Sequence, residues 1–140
     1  MSLLASTAEQ DLLRKSTADY AAARLAPLVA RVRREGAPAR PWDWVEPAFH
    51  EGAALGLTKL LVPADHGGLG GSCVDAAIIL EELGAVDVGM AGDYFALTAT
   101  MPLLLQRAGA TGELAQFLMA PAMVLAGAQS EPNVAGSELM

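Results

Sequence analysis

Apolar positions recur at helical spacing from the start of the chain, with Leu13, Thr17, Tyr20, Ala21, Leu25, Leu28 and Val32 on one stripe. Ser6 with Glu9 offers a capping box at its head, and Arg31, Arg33 and Arg34 sit at its tail, where cations complement the helix dipole. Those arginines also have the charge to meet an anionic ligand. Pro27 falls inside the stripe, but the stripe resumes in register, so a kinked helix is predicted rather than two separate ones. Gly36 and Pro38 end it. A second helix opens at Pro41-Trp42-Asp43-Trp44, with Asp43 as N-cap and Pro47 in the first turn; Val45, Phe49 and Ala53 point inward, and it closes near Gly56. A further helix runs from Ser72, its N-cap, to Gly84, with Asp75 in the first turn. Asp87 then caps an apolar segment over residues 88–100, broken at Met101-Pro102. Short helices are predicted over residues 103–108 and up to Met119. Residues 123–128 are a brief apolar run after Pro121, long enough for one strand, and residues 129–140 read as a polar loop. A lone strand cannot satisfy its backbone groups, so the sequence reads as cut off.

Between the second helix and the next lies Leu61-Val62-Pro63-Ala64-Asp65-His66-Gly67-Gly68-Leu69-Gly70-Gly71, with four glycines in five positions. Neither helix nor central strand accommodates that composition. Two readings compete. A glycine loop before a helix can cradle phosphate. However, no lysine follows as a P-loop requires, and no strand–helix–strand frame surrounds it. A tight structural corner is the expectation.

The apolar share, 53% of 140 residues, is high for a single domain and concentrated in Ala and Leu. A membrane span would need ~20 consecutive apolar residues. The longest charge-free run, residues 114–130, contains Pro121 and Gln116 and falls short, so helical surfaces hidden against partners are expected instead. A net charge of −7 disfavours a nucleic-acid surface. The N-terminus shows no basic region ahead of an apolar core, and the lone Cys73 fits a reducing compartment, so a cytoplasmic protein is expected. Cys73 at a helix start reads as filler, with a reactive thiol as the alternative. His50 and His66 have no nucleophile or metal partner at a useful spacing, and no metal site is predicted.

Val62-Pro63-Ala64-Asp65-His66-Gly67-Gly68-Leu69-Gly70-Gly71, followed by a helix ending Leu80-Glu81-Glu82-Leu83-Gly84, resembles the N-terminal helical domain of the acyl-CoA dehydrogenase family. Gln129-Ser130-Glu131-Pro132-Asn133-Val134-Ala135-Gly136-Ser137-Glu138 is similar to that family's Thr/Ser-Glu-Pro-x-x-Gly-Ser-Asp signature, at the first strand of its middle β-domain. The resemblance implies a mostly α fold. Residues 1–121 would be the N-terminal helical bundle, and residues 122–140 the first strand and flavin-site loop of the middle domain.

It also implies chemistry. The family removes two hydrogens from Cα and Cβ of an acyl-CoA thioester, with a glutamate base, FAD as hydride acceptor, and an electron-transfer flavoprotein or other acceptor downstream. By position, Gln129 and Ser130 would face the flavin ring edge, and Gly136 and Ser137 the pyrophosphate and thioester arm. Met90, Tyr94 and Thr98, which share one helix face at i, i+4 and i+8, would line the acyl pocket; ordinary core packing is the competing reading for Met90 and Tyr94. Three departures stand out: one extra residue between Pro132 and Gly136, Glu138 in place of Asp, and Gly127 where an aromatic is common. The family's base comes from beyond Met140, and Glu81 and Glu82 read as a solvated face, so no catalytic residue is assigned. The remaining domains or a partner subunit would complete a homo- or hetero-oligomer. Two alternatives use the same residues: a non-catalytic helical subunit docked on a partner chain, or an acyl-CoA oxidase or flavin monooxygenase of the same fold.

Overall fold

The computed structural model describes residues 6–96, and these are helical with no strand among them. The predicted strand and the short helices after Met101 lie outside the described residues. Helix α1 spans Ala8–Tyr20, α2 Ala26–Glu35, α3 Trp42–Ala54 and α4 Cys73–Gly84. A fifth helix, α5, is described over residues 88–96.

The first stripe folds as one continuous helical rod, and its proline is absorbed rather than merely tolerated. A π-helical turn, Ala21–Leu25, joins α1 to α2, and the N–H of Ala26 reaches back to the Ala21 carbonyl. Pro27 follows at the head of α2. Widening the helix by one residue accommodates the missing donor and the bulk of the pyrrolidine ring, which would otherwise press on the carbonyl four residues back. The stripe buries as predicted through Thr17, Tyr20, Ala21 and Leu25, whereas Val32 stays 41% exposed.

The caps differ from expectation at two helices. Thr7, not Ser6, caps α1, in a capping box with Gln10. Ser6 instead donates to Asp11 at 2.6 Å. At α3 the N-cap is Pro41, with no side-chain cap, and Asp43 lies in the first turn, 3.5 Å from Arg40. Pro47 sits inside α3, beyond the first turn. Ser72 caps α4 in a box with Asp75, and the hydrogen bonds from Ser72 hold the Asp75 carboxyl below its usual range. Asp87 caps α5 through the Met90 N–H at 3.0 Å.

Polar ties register α1 against α4. Gln10 donates to Asp75 at 3.1 Å, and one turn on Arg14 donates to Glu82 at 2.6 Å and Glu81 at 2.8 Å. The pairs climb both helices together, so the two run side by side in the same sense. The face expected to be merely solvated is therefore bridged by Arg14, although such exposed pairs contribute little stability. Arg31 of α2 lies 3.5 Å above the Trp44 ring centroid of α3. Beneath these ties the core gathers Tyr20, Ala21 and Leu25 with Phe49, Leu57, Leu60, Ile79, Leu83 and Tyr94.

One core atom is out of place. Thr17 is 1% exposed, and its hydroxyl has no hydrogen-bond partner among the described residues. Valine has the same branched shape without the oxygen, so Thr17→Val should remove the burial cost of that hydroxyl. A gain of about 1 kcal/mol, or roughly 4 °C in Tm, is expected by thermal denaturation. A fall in Tm would show that the hydroxyl is hydrogen-bonded in solution.

Candidate functional site

The glycines of the loop spend their N–H groups on nearby backbone carbonyls. Its N–H groups close on the loop itself: Gly67 on Ala64, Gly68 on Pro63, Leu69 on Lys59, Gly70 on Val62 and Gly71 on Leu60. Ser72 N–H is taken by the Asp75 carboxylate at 2.7 Å. Gly67 and Gly70 have φ of 80° and 62°, where a side chain is strained. A phosphate cradle needs free N–H groups converging outward, so the loop is the corner that sets α4 on α1.

The expected pocket helix, α5, presents Met90 and Tyr94 one turn apart towards the other helices. Tyr94 is fully buried. Its ring stacks on Phe49 at 5.6 Å and meets Tyr20 edge-on at 6.4 Å. The two tyrosine hydroxyls lie 2.7 Å apart, and Tyr20 donates to the Ala48 carbonyl at 2.7 Å. A phenol has one proton, and a carbonyl can only accept, so the Tyr20 proton is committed and Tyr94 donates to Tyr20. Burial pushes both phenols above their ordinary range. This hydroxyl chain reaches the backbone of α3 because Gly52 leaves a notch. A Cβ there would lie 2.2 Å from the Tyr94 hydroxyl and 2.8 Å from that of Tyr20.

Met90 is half-buried and lines a cleft of about 240 Å³ with Leu25, Leu28, Val29, Val32 and Val45, with Arg33 and Asp87 beside them. Arg33 makes no ion pair among the described residues. The cleft is mostly apolar, with the Arg33 cation and the Asp87 carboxylate among its lining, a wall suited to an aliphatic chain. Thr98, Gln129, Ser130, Gly136 and Ser137 lie outside the described residues. Other candidate groups are occupied or isolated. His50 sits 3.6 Å from Glu46 on the same helix. Cys73 is an exposed free thiol. No cluster of three His, Cys, Asp or Glu occurs among the described residues.

Sequence reasoning missed Tyr20 and Gly52 as partners of Tyr94. A glycine inside an apolar helix face, four residues after Ala48, was the available signal, since an interior glycine marks close approach.

The family model for the acyl-CoA dehydrogenase N-terminal domain matches residues 7–122. No curated protein and no solved structure matches the chain. No described helix is long and apolar enough to cross a membrane. The helical fold and a match over most of its length place the chain in the acyl-CoA dehydrogenase family, as a member carrying that family's N-terminal domain.

Proposed function

We propose that the chain is the N-terminal part of an FAD-dependent, cytoplasmic acyl-CoA dehydrogenase that desaturates an acyl-CoA thioester between Cα and Cβ. The family match over residues 7–122 carries this reading. The mostly apolar cleft beside Met90 supports it, because an alkyl chain needs a largely apolar wall. Residues 1–121 form the helical domain in this reading, and residues 122–140 begin the middle domain. Met90, Tyr94 and Thr98 bound the acyl chain. Gln129, Ser130, Gly136 and Ser137 contribute one edge of the flavin site, with Ser137 also near the thioester. FAD, when bound, supplies the hydride acceptor. Glu81 and Glu82 hold Arg14 and Glu51 holds Arg24, and by the family resemblance the glutamate base comes from beyond Met140. The base is therefore assigned to a further domain or a partner subunit, and electrons pass to an electron-transfer flavoprotein or a comparable acceptor.

The test is an anaerobic titration of the full-length flavoprotein with saturated acyl-CoA thioesters. Bleaching of the oxidised-flavin band is expected, with recovery on adding electron-transfer flavoprotein. A flavin that stays oxidised with every chain length would refute the proposal.

A further inference from the structure

We propose that α2 carries the specificity-determining wall of the acyl pocket, with Val29 as the residue that sets how long an acyl chain the enzyme accepts. The inference rests on the reading that Met90 bounds the acyl chain. Of the two described residues on that proposed face, Tyr94 is buried in the core, whereas Met90 opens onto the cleft of about 240 Å³. What shares the cleft with Met90 is mainly α2 and the turn before it, through Leu25, Leu28, Val29, Val32 and Arg33. An alkyl chain lying along Met90 in this cleft therefore also lies along α2.

The helix itself shows why its apolar stripe is available. Thr17, Tyr20, Ala21 and Leu25 are buried ahead of it, but α2 has no fully buried residue. The π turn over Ala21–Leu25 inserts an i→i−5 step, which offsets the stripe of α2 from that of α1. Accessibility then rises along the wall. Leu25 is fully buried, Leu28 and Val29 are half-buried, Val32 is 41% exposed and Arg33 is exposed. The gradient gives the wall a closed apolar end and an open polar one, and an alkyl tail is stable only where it ends among apolar groups. Val29 stands one turn from Leu25 and one turn from Val32, between the two ends.

The test uses kcat/KM over a series of acyl-CoA lengths, with Tm measured alongside, in the full-length enzyme. Val29→Phe fills the middle of the wall and should lower kcat/KM for the longest accepted acyl-CoA by about tenfold relative to the shortest. Val29→Ala opens the same place and should shift the profile the other way, by a few-fold per added methylene. A valine that only supports the fold makes a different pattern: both variants lower Tm, and the ratio between long and short chains stays at its wild-type value. That pattern would overturn the role of Val29 while leaving the proposed function intact. A wild-type enzyme that turns over no acyl-CoA would instead refute the proposed function, and the α2 wall with it. If Val29→Phe does not fold, Val32→Phe adds the same ring to the same wall at a position already 41% exposed. A wild-type length profile in Val32→Phe would then overturn the wall.

Discussion

Gly68→Ala should cost this chain about 3–4 kcal/mol, the largest effect of any single methyl added to the glycine loop. A Cβ at Gly68 would lie 2.1 Å from the Val62 carbonyl oxygen, 2.3 Å from its Cβ and 2.5 Å from its carbonyl carbon. Val62 is fully buried, and its carbonyl accepts from Gly70 at 2.8 Å. A flexible side chain could rotate away from such a clash, but backbone cannot. The loop must open, which adds lost hydrogen bonds at about 1 kcal/mol each to an overpacking cost of about 1–3 kcal/mol. Thermal denaturation should show Tm lower by roughly 10 °C or more. Gly36→Ala is the control, since nothing lies within 4 Å of a Cβ there and only its φ of 79° is unfavourable. It should lose about 1 kcal/mol. Equal losses at the two glycines would mean that the loop does not close as described.

The glycine loop was legible as a corner because four glycines and a proline exclude regular structure, but the closure of its glycine N–H groups on backbone carbonyls was not. That depends on where each N–H goes, which only the closed loop reveals. The stripe of α1 and α2 was legible for the opposite reason, since a 3.6-residue period is written in the sequence itself. Its details were decided by contacts between distant residues. Ser6-x-x-Glu9 and Thr7-x-x-Gln10 both satisfy the capping-box pattern, and the one adopted lets Gln10 also reach Asp75, 65 residues away. Glu81 and Glu82 looked solvated because Arg14 lies far away in sequence. The i, i+4 relation of Met90 and Tyr94 placed them on one face, yet periodicity does not distinguish a face that meets a ligand from one that meets a tyrosine 74 residues away. The proposed flavin-edge residues and Thr98 lie outside the described residues.

Gly52→Ala should reverse the usual effect of that substitution. In an exposed helix interior, alanine for glycine stabilises by about 1 kcal/mol. Gly52 is buried, and its missing Cβ is the space into which two hydroxyls fit. An added methyl would meet the Tyr94 hydroxyl at 2.2 Å, the Tyr20 hydroxyl at 2.8 Å and the Tyr94 Cζ at 2.9 Å. Both rings would have to withdraw, and both are pinned: Tyr94 against Phe49, Tyr20 to the Ala48 carbonyl. The expected loss is about 3–5 kcal/mol, combining overpacking with hydroxyls pulled off their partners. The geometry also dictates a partial suppressor. Tyr94→Phe deletes the atom nearest the new methyl, and alone it should cost only about 1 kcal/mol, since Tyr20 keeps its bond to Ala48. The two substitutions together should therefore be less damaging than their sum, with a coupling of about 1 kcal/mol or more measured by denaturant unfolding. Strict additivity would show that the methyl and the Tyr94 hydroxyl do not compete for the same space, and the three-helix junction of α1, α3 and α5 would need another account.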